Sequence, residues 1–367
     1  MKAYEYWMAS TEGMGYKGYQ LLKKHQITGK ELYDMQQTQR DKLVKQGILR
    51  AKVAKELQNR SKIVPENLYH ELAEQQIQVV LPEDAAYPKR LKKIPDSPLT
   101  LYYHGHLPEE AKHCVAVIGS RMCTEYGSYV ARELGKTLAG HGIQLVSGMA
   151  RGIDGICQRS AVEAGGSVYA VLGSGVNVCY PRENHTLYEK LWQGSNCGIF
   201  SEYPPGTQAK GCLFPPRNRI ISGLADAVVV IEAREKSGTF ITVDMALEQG
   251  KEVYALPGKV TDRLSDGCNR LLKEGANVFL SPEEFVRELK EEELAGAENL
   301  VDSWEKPSVE LDEEESRVLK CLDFEPKCVE EIYEQTQIQL EKLLYLLTVL
   351  QMKGFVGRIG NKYVRKR

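Results

Sequence analysis

One short segment of the chain carries the side chains best suited to hold a phosphate and an unpaired base. It contains Lys210, Phe214, Arg217, Asn218 and Arg219. Arginine presents a planar, permanently charged fork to a phosphate, and an exposed phenylalanine beside it offers a face on which a base can stack. A cation for the backbone and an aromatic face for the base together favour binding of a single-stranded nucleic acid.

Two consecutive prolines, Pro215 and Pro216, indicate where a helix begins, because their missing N–H groups would be unpaired in its first turn anyway. This predicts that Lys210 and Phe214 lie in the preceding loop and that the Arg-Asn-Arg string forms the first helical turn. An alternative stays open for Phe214, which could pack under the helix instead of stacking on a base.

The two arginines of this segment cannot both face one ligand, because residues two apart on a helix point about 200° apart. We expect Arg217 to contact the phosphate. Arg219 would then lie on the other side of the helix and stabilise the fold, with Asp226 as a candidate partner.

A second set of candidate ligands follows short apolar runs that are typical of strands. The runs end in turns rich in glycine or serine, which are Gly119-Ser120-Arg121, Ser147-Gly148, Gly173-Ser174-Gly175 and Ser237-Gly238-Thr239. In a parallel sheet these turns share the carboxyl edge, where ligands bind. Glycine lets the backbone approach a phosphate, and a following helix offers free N–H groups. Any one glycine could instead only permit a tight connection, but four such turns favour a phosphate site.

The sequence lacks the motifs of nucleotide cofactors and metals. The turn at Gly119 has no second and third glycine of Gly-x-Gly-x-x-Gly, and no Gly-x-x-x-x-Gly-Lys-Ser/Thr loop occurs. The nine cysteines include no Cys-x-x-Cys pair, which is typical of reduced thiols rather than of a zinc site. We therefore expect neither cofactor nor metal.

The elements that must position these residues form a parallel sheet. Five short apolar runs alternate with helix-length segments: Val115–Ile118, Ile143–Val146, Val168–Leu172, Ala227–Ile231 and Glu252–Leu256. Mostly continuous apolar runs predict strands buried on both faces, and their alternation with helices predicts right-handed crossovers. We assign residues 80–290 to an α/β, extended Rossmann-like domain.

The flanking regions differ in composition. Residues 1–75 are typical of short helices around a Gly13-Met14-Gly15 break, as in a helix-hairpin-helix or SAM-like domain, and a cap that only packs or recruits partners is the alternative. Residues 291–310 are predicted to be an acidic linker. Residues 311–367 show the helix and strand order of a winged helix.

The third helix of that winged helix, residues 339–353, has a nearly neutral polar face, whereas a helix that reads duplex DNA should present basic or amide side chains. Its leucines are expected to pack: Leu343, Leu344, Leu346, Leu347 and Leu350. We therefore interpret the module first as a protein contact and second as a duplex reader.

The whole chain has 367 residues and a formal net charge of −2, so any basic surface must be local. Its apolar runs are too short to cross a bilayer, and its first residues lack a signal-peptide pattern. We expect a cytoplasmic protein.

Several of these strings together resemble the DNA-processing protein A (DprA/Smf) family. The matching runs include Val117–Arg121, Ser147–Asp154, Gly173–Asn184, Ser201–Gly206 and Phe214–Gly223. The resemblance implies an extended Rossmann-like domain that binds single-stranded DNA, forms a homodimer, protects incoming DNA in natural transformation and loads the RecA recombinase onto it. It also implies a binding protein that does no covalent chemistry.

Three positions depart from the family pattern, namely Gln158, Asn177 and Ala225, and none lies in the basic segment. The candidate single-stranded DNA contacts are Gly119, Ser120, Arg121, Ser147, Gly148, Arg151, Lys210, Phe214, Arg217, Asn218, Arg219, Ser237 and Gly238.

The alternative is an enzyme, a nucleotide-cleaving phosphoribohydrolase whose Rossmann core this domain also resembles. That family places a glutamate three residues after a Gly-Thr pair. Aligned on Gly238 and Thr239, this position holds Thr242, and Asp244 lies two residues further along the helix. A missing carboxylate at the required spacing argues against acid–base catalysis.

Overall fold

A computed structural model describes residues 2–58, 63–290, 312–322, 327–353, 355–359 and 362–365. The chain divides into two compact units, Met1–Glu292 and Glu293–Arg367. The predicted acidic linker, residues 291–310, lies outside the described residues.

The first unit begins with six short helices. They are α1 (Lys2–Ser10), α2 (Gly15–Lys24), α3 (Gly29–Asp34), α4 (Gln37–Lys45), α5 (Ala51–Glu56) and α6 (Pro65–Glu74). Trp7, Leu22 and Leu32 pack in a common apolar core. Gly13, in the turn between α1 and α2, and Gly15, at the start of α2, both have positive φ, which a residue with a side chain rarely adopts. The predicted order of helix, glycine turn and helix is therefore present inside a larger helical bundle.

A nine-stranded sheet follows, and the helices attach to its edge. Its strands are β1 (Gln78–Val80), β2 (Leu101–Gly105), β3 (Cys114–Gly119), β4 (Gln144–Ser147), β5 (Val168–Val171), β6 (Cys197–Ser201), β7 (Ala227–Ile231), β8 (Glu252–Ala255) and β9 (Asn277–Val278). The Tyr6 hydroxyl of α1 lies 3.2 Å from the Tyr102 hydroxyl of β2, and the two rings meet edge to face.

The strand order is β1-β2-β6-β5-β4-β3-β7-β8-β9. The seven strands from β6 to β9 in this order are parallel, and β1 and β2 extend the sheet antiparallel. The chain builds β4, β5 and β6 on one side of β3 and then returns to build β7, β8 and β9 on the other. The carboxyl ends of β3 and β7 therefore border a topological switch point, where open α/β sheets bind ligands.

Helices cover both faces of the sheet. They are α7 (Lys89–Lys92), α8 (Glu125–Gly140), α9 (Ile153–Glu163), α10 (His185–Gln193), α11 (Phe214–Leu224), α12 (Thr239–Glu248), α13 (Asp266–Lys273) and α14 (residues 282–290). Leu134 and Leu187 fill the core on one face, and Ile220 and Val243 fill the core on the other. Two covered faces explain why the strand sequences are continuously apolar, and the predicted α/β class with a Rossmann-like parallel sheet is confirmed.

The second unit contains α15 (Glu313–Cys321), β10 (Lys327–Cys328), α16 (Val329–Thr336), α17 (Leu340–Met352), β11 (Val356–Ile359) and β12 (Lys362–Arg365). Its antiparallel strands have the order β10-β12-β11. This is a winged helix, as predicted. The expectation that Leu344 packs is wrong, because its position on α17 leaves it 42% exposed, while Leu343 and Leu347 on the adjacent turns are buried.

None of the helices in the described ranges is long and apolar enough to cross a membrane.

Candidate nucleic-acid interface

An open cleft of about 440 Å³ lies at the switch point. Four segments contribute lining residues to this switch-point cleft: the end of β3 with the turn after it, the segment between β4 and α9 with the start of α9, the first turns of α11, and the loop after β7 with the start of α12. Its cationic side chains are Arg121, Arg217, Arg234 and Lys236. Asp154 is the one carboxylate among the described lining residues, so the cleft favours an anion.

An exposed cation and two aromatic rings form one array beside the cleft. The rings of Phe214 and Tyr180 stack with centroids 5.3 Å apart and planes 23° apart, and the Arg121 guanidinium carbon lies 5.8 Å from the centre of the Phe214 ring. Tyr180 is 43% exposed. Arg121 is exposed and forms no ion pair with any residue in the described ranges. The array offers a charge and an aromatic face side by side.

Phe214 begins α11 instead of lying in the preceding loop, so that part of the prediction is wrong. Its ring is half-buried against the turn after β5, where a Cβ on Gly173 would collide with it. The glycine of this turn therefore makes room for an aromatic ring. Packing of Phe214 is therefore observed, and the ring also borders the cleft, so its stacking on a base stays a prediction.

The structure corrects the expected position of Arg217. Its side chain is only 5% exposed, and its Nη1 donates hydrogen bonds to the Gly148 carbonyl at 3.0 Å and to the Val171 carbonyl. Burial lowers the pKa of its guanidinium to about 10, so the group stays charged at neutral pH. Arg217 contributes charge to the floor of the cleft, but it does not present a free fork to a phosphate.

Arg219 points away from the cleft, as expected, but its partner is not Asp226. Its Nη1 and Nη2 donate to the two Glu202 carboxylate oxygens, each at 2.7 Å, and its Nε lies 3.2 Å from Asp96. Asp226 instead accepts two hydrogen bonds from Arg90 at 3.1 and 3.0 Å. Both arginines of the basic segment are thus engaged within the protein, and Arg219 is not available to a ligand.

The turn after β4 also serves the fold rather than the cleft surface. The buried Ser147 hydroxyl donates to the Val117 carbonyl at 2.6 Å, and the Gly148 N–H donates to the Asp154 carboxylate at 3.2 Å. Burial raises the pKa of Asp154, and the nearby Arg217 guanidinium opposes that rise. A Cβ on Gly148 would collide with both Arg217 and Asp154. The expected direct contacts at Ser147 and Gly148 are therefore corrected to structural roles, in which Ser147 bonds β3 and Gly148 accepts from Arg217.

The turn after β3 is shaped by its first two residues and presents the third. A Cβ on Gly119 would collide with the Ile231 carbonyl at the end of β7. The Ser120 carbonyl accepts from the Ile153 N–H at 3.1 Å, and the Ser120 hydroxyl accepts from the Met122 N–H at 3.2 Å. These contacts fix the direction of the exposed Arg121.

The loop after β7 supplies the opposite wall. Gly238 is exposed with open space around it, and the Ser237 hydroxyl accepts from the Thr239 N–H at 3.2 Å. Arg234 and Lys236 in this loop are exposed cations that the sequence-based choice of contacts missed. Lys236 could have been chosen from the sequence, since it directly precedes the candidate contacts Ser237 and Gly238.

The remaining candidates lie around the cleft. Asn218 is half-buried in its lining, and its side-chain oxygen accepts from Arg217 Nε at 3.3 Å. Arg151 is exposed and forms an ion pair with the exposed Glu183 at 3.2 Å. Lys210 is exposed at the start of a 3-10 turn, outside the residues that line the cleft.

A buried glutamate lies at the N-terminus of α8. Glu232 follows β7 with a φ of 54°, and its carboxylate accepts from the N–H of Thr124 at 2.8 Å and from the Thr124 hydroxyl. Since Thr124 caps the N-terminus of α8, this carboxylate stabilises the positive end of that helix.

The position where a phosphoribohydrolase needs its acid holds no carboxylate. Thr242 lines the cleft there, and Asp244 is exposed on α12 outside the lining. Two of the departures from the family pattern have structural roles: Gln158 is buried and bonds Met149 and Tyr169, and Asn177 accepts from the Gly206 N–H.

The fold and the site define an α/β protein whose open parallel sheet carries a cationic and aromatic cleft at its switch point. Residues 78–290 match the family model described as DNA recombination-mediator protein A, and residues 304–361 match the DprA winged helix domain. The chain belongs to the DNA recombination-mediator protein A family.

Relatives with this architecture come from several bacteria. The DNA processing protein DprA of Streptococcus pneumoniae is 40% identical over 209 residues, which are 56% of this chain and 72% of that protein. Its crystal structure aligns with a TM-score of 0.66 over 78% of this chain and 98% of that one, at 32% identity. DNA processing protein A from Helicobacter pylori, a structure described as giving insight into a unique single-stranded DNA binding mode, aligns with a TM-score of 0.53 over 59% of this chain and 97% of that one, at 28% identity.

Proposed function

We propose that this chain binds single-stranded DNA in the switch-point cleft and hands the strand to a recombinase. One observation carries the proposal: at the edge of a cationic cleft, the exposed Arg121 lies over the ring of Phe214, which stacks with Tyr180. A phosphate group pairs with the cation and an unpaired base stacks on the ring, and single-stranded DNA contains both groups.

The side chains divide into contacts and supports. Arg121, Arg234 and Lys236 contact phosphates, while Phe214 and Tyr180 stack on bases. Gly238 and the hydroxyl of Ser237 lie where the backbone of the strand approaches the start of α12. Arg217 is a positioning residue, because its hydrogen bonds join the turns after β4 and β5 to α11. Lys210 and Arg151 extend the cationic surface outside the cleft.

The cellular role that we propose is supported by membership of the family. A recombination mediator that holds single-stranded DNA protects it and loads RecA onto it, and we place this role in the cytoplasm during natural transformation. We further propose a homodimer. The single-stranded DNA binding mode described for the Helicobacter pylori protein supports the choice of ligand.

We propose binding without covalent chemistry. Support comes from Thr242, which occupies the position where a phosphoribohydrolase needs its acid, and from Asp154, whose carboxylate is buried and engaged by the Gly148 N–H. Incubation with AMP followed by chromatography tests this point, and release of the base would overturn it.

The direct test of the ligand is fluorescence anisotropy with labelled oligo-dT. Arg121→Ala should weaken binding, because it removes the cation of the array. Lys190→Ala is the control, since it removes a half-buried cation on α10 that pairs with Glu163. Equal affinities of the two variants and the wild-type protein would reject the cleft as the binding site.

A further inference from the structure

Two tyrosines on α8 stand out among the exposed large side chains. Tyr126 is 53% exposed and Tyr129 is 59% exposed. They lie three residues apart and so share one face of the helix. Neither has a stacking partner or a hydrogen bond from its side chain among the described residues. Folding of the domain therefore does not explain these rings.

The two tyrosines lie on the helix that follows the cleft-lining turn after β3. Met122 directly follows Arg121, lines the cleft and is 71% exposed, and α8 begins three residues later. The start of α8 is fixed to the end of β7, because Thr124 bonds the buried Glu232 carboxylate. Tyr126 and Tyr129 are separated by about 4.5 Å along the helix axis, since each residue rises about 1.5 Å. A strand that leaves the cleft past Arg121 meets these rings next.

The charges on this face are compatible with a strand of phosphates. Arg132 lies one further turn along, is exposed and forms no ion pair within the described parts of the chain. The acidic groups nearby are Glu125, which is exposed, and Glu133, which Lys136 pairs at 2.8 Å. Glu232 also faces Tyr126, but its carboxylate is engaged by Thr124. A cation thus lies at each end of the aromatic pair, with Arg121 before it and Arg132 after it.

We infer that Tyr126 and Tyr129 form a second stacking surface, which carries the bases of the same DNA strand out of the cleft and along α8. This inference rests on the proposed function of the cleft. Stacking tolerates any base, so the surface lengthens the binding site without adding sequence preference. The proposed ligand is unpaired DNA. Exposed aromatic patches also bind proteins, and the test below distinguishes these two ligands.

The test compares an oligo-dT of about 4 nucleotides, which the cleft alone can hold, with one of about 12 nucleotides. The double variant Tyr126→Ala/Tyr129→Ala should bind the short strand like the wild-type protein and the long strand roughly tenfold more weakly, at an unchanged salt slope. Tyr345→Ala removes a similarly exposed ring from α17 and should change neither affinity. Tyr126→Phe/Tyr129→Phe should retain long-strand binding, because the rings remain.

A second readout keeps the inference testable if the alanine variant unfolds. Tyr129→Trp should lose tryptophan fluorescence on adding the long strand and not on adding the short one. If the double alanine variant keeps its affinity for the long strand, the second surface is overturned while the cleft stands. Equal fluorescence quenching of Tyr129→Trp by the short and the long strand would have the same meaning. Failure of the wild-type protein to bind either strand would instead overturn the proposed function itself.

Discussion

The same residue type plays opposite roles at three positions around the cleft. Arg121 is exposed at its edge, Arg217 is buried against backbone carbonyls, and Arg219 is held by Glu202. Helical geometry correctly predicted that the side chains of Arg217 and Arg219 point to different sides of α11. It could not predict which carbonyls surround Arg217. Those carbonyls belong to turns that are distant in sequence, so a local pattern contains no signal for them.

Removal of a phosphate contact should change the salt dependence of DNA binding. Each contact releases counterions, so Arg121→Ala and Lys236→Ala should each lower the log–log salt slope of oligo-dT affinity by roughly 0.7. Arg219→Ala should leave the slope unchanged and lower the melting temperature, because it removes the partner of Glu202. A salt titration of each folded variant measures this, and wild-type slopes for both cleft variants would exclude these cations as phosphate contacts.

Removal of a stacking ring should behave differently. Phe214→Ala should cost about 1–3 kcal/mol of binding free energy without changing the salt slope, because stacking releases no counterions. Circular dichroism must accompany the titration, since the ring also packs against Gly173. A folded variant with wild-type affinity would show that the ring is only a packing residue.

Arg217 should matter to stability in a pH-dependent way. Arg217→Met should destabilise the fold by about 3 kcal/mol at neutral pH, because it leaves the buried Asp154 without the nearby cation that opposes the rise of its pKa. A carboxyl whose pKa is higher in the folded state than in the unfolded state weakens the fold as the pH rises through that folded pKa. The loss of folding stability in Arg217→Met should therefore be smaller at about pH 4 than at neutral pH. Denaturant unfolding at both values measures it, and a loss independent of pH would contradict the coupling.

At the scale of elements, the sequence located the strands that build the cleft. All five predicted runs coincide with the parallel strands β3, β4, β5, β7 and β8, because burial on both faces leaves a continuous apolar run. The edge strands β1 and β9 were missed, since short strands at an edge need no such run, and so was the antiparallel strand β2 beside β1. The interior β6 was missed as well, because Gly198 and Ser201 interrupt its apolar pattern.

The winged helix should contribute little to strand binding. A chain that ends at residue 292 retains the whole first unit and the cleft, so it should keep most of the affinity for oligo-dT. The exposed Leu340, Leu344 and Tyr345 of α17 agree with the interpretation of this module as a protein contact. Loss of binding by a folded truncated chain would assign the main DNA site to the second unit.

At the scale of the whole molecule, the net charge is −2, and yet one local surface is cationic. Three segments far apart in sequence bring Arg121, Arg217, Arg234 and Lys236 to one edge of the sheet. Composition could not reveal this convergence, because it depends on the switch in strand order between β3 and β7. The five strands that build the cleft could be predicted from the sequence, whereas the engagement of Ser147, Gly148 and Arg217 inside the fold required the structure.

The most direct test is a competition experiment. Labelled oligo-dT bound to the full-length protein is displaced by unlabelled oligo-dT or by blunt duplex of the same length at one fixed salt concentration. Stacking on Phe214 and Tyr180 needs unpaired bases, so we expect the single strand to compete far better, and this preference should shrink in Phe214→Ala. Equal competition by the duplex, with or without Phe214, would contradict a cleft that recognises single-stranded DNA.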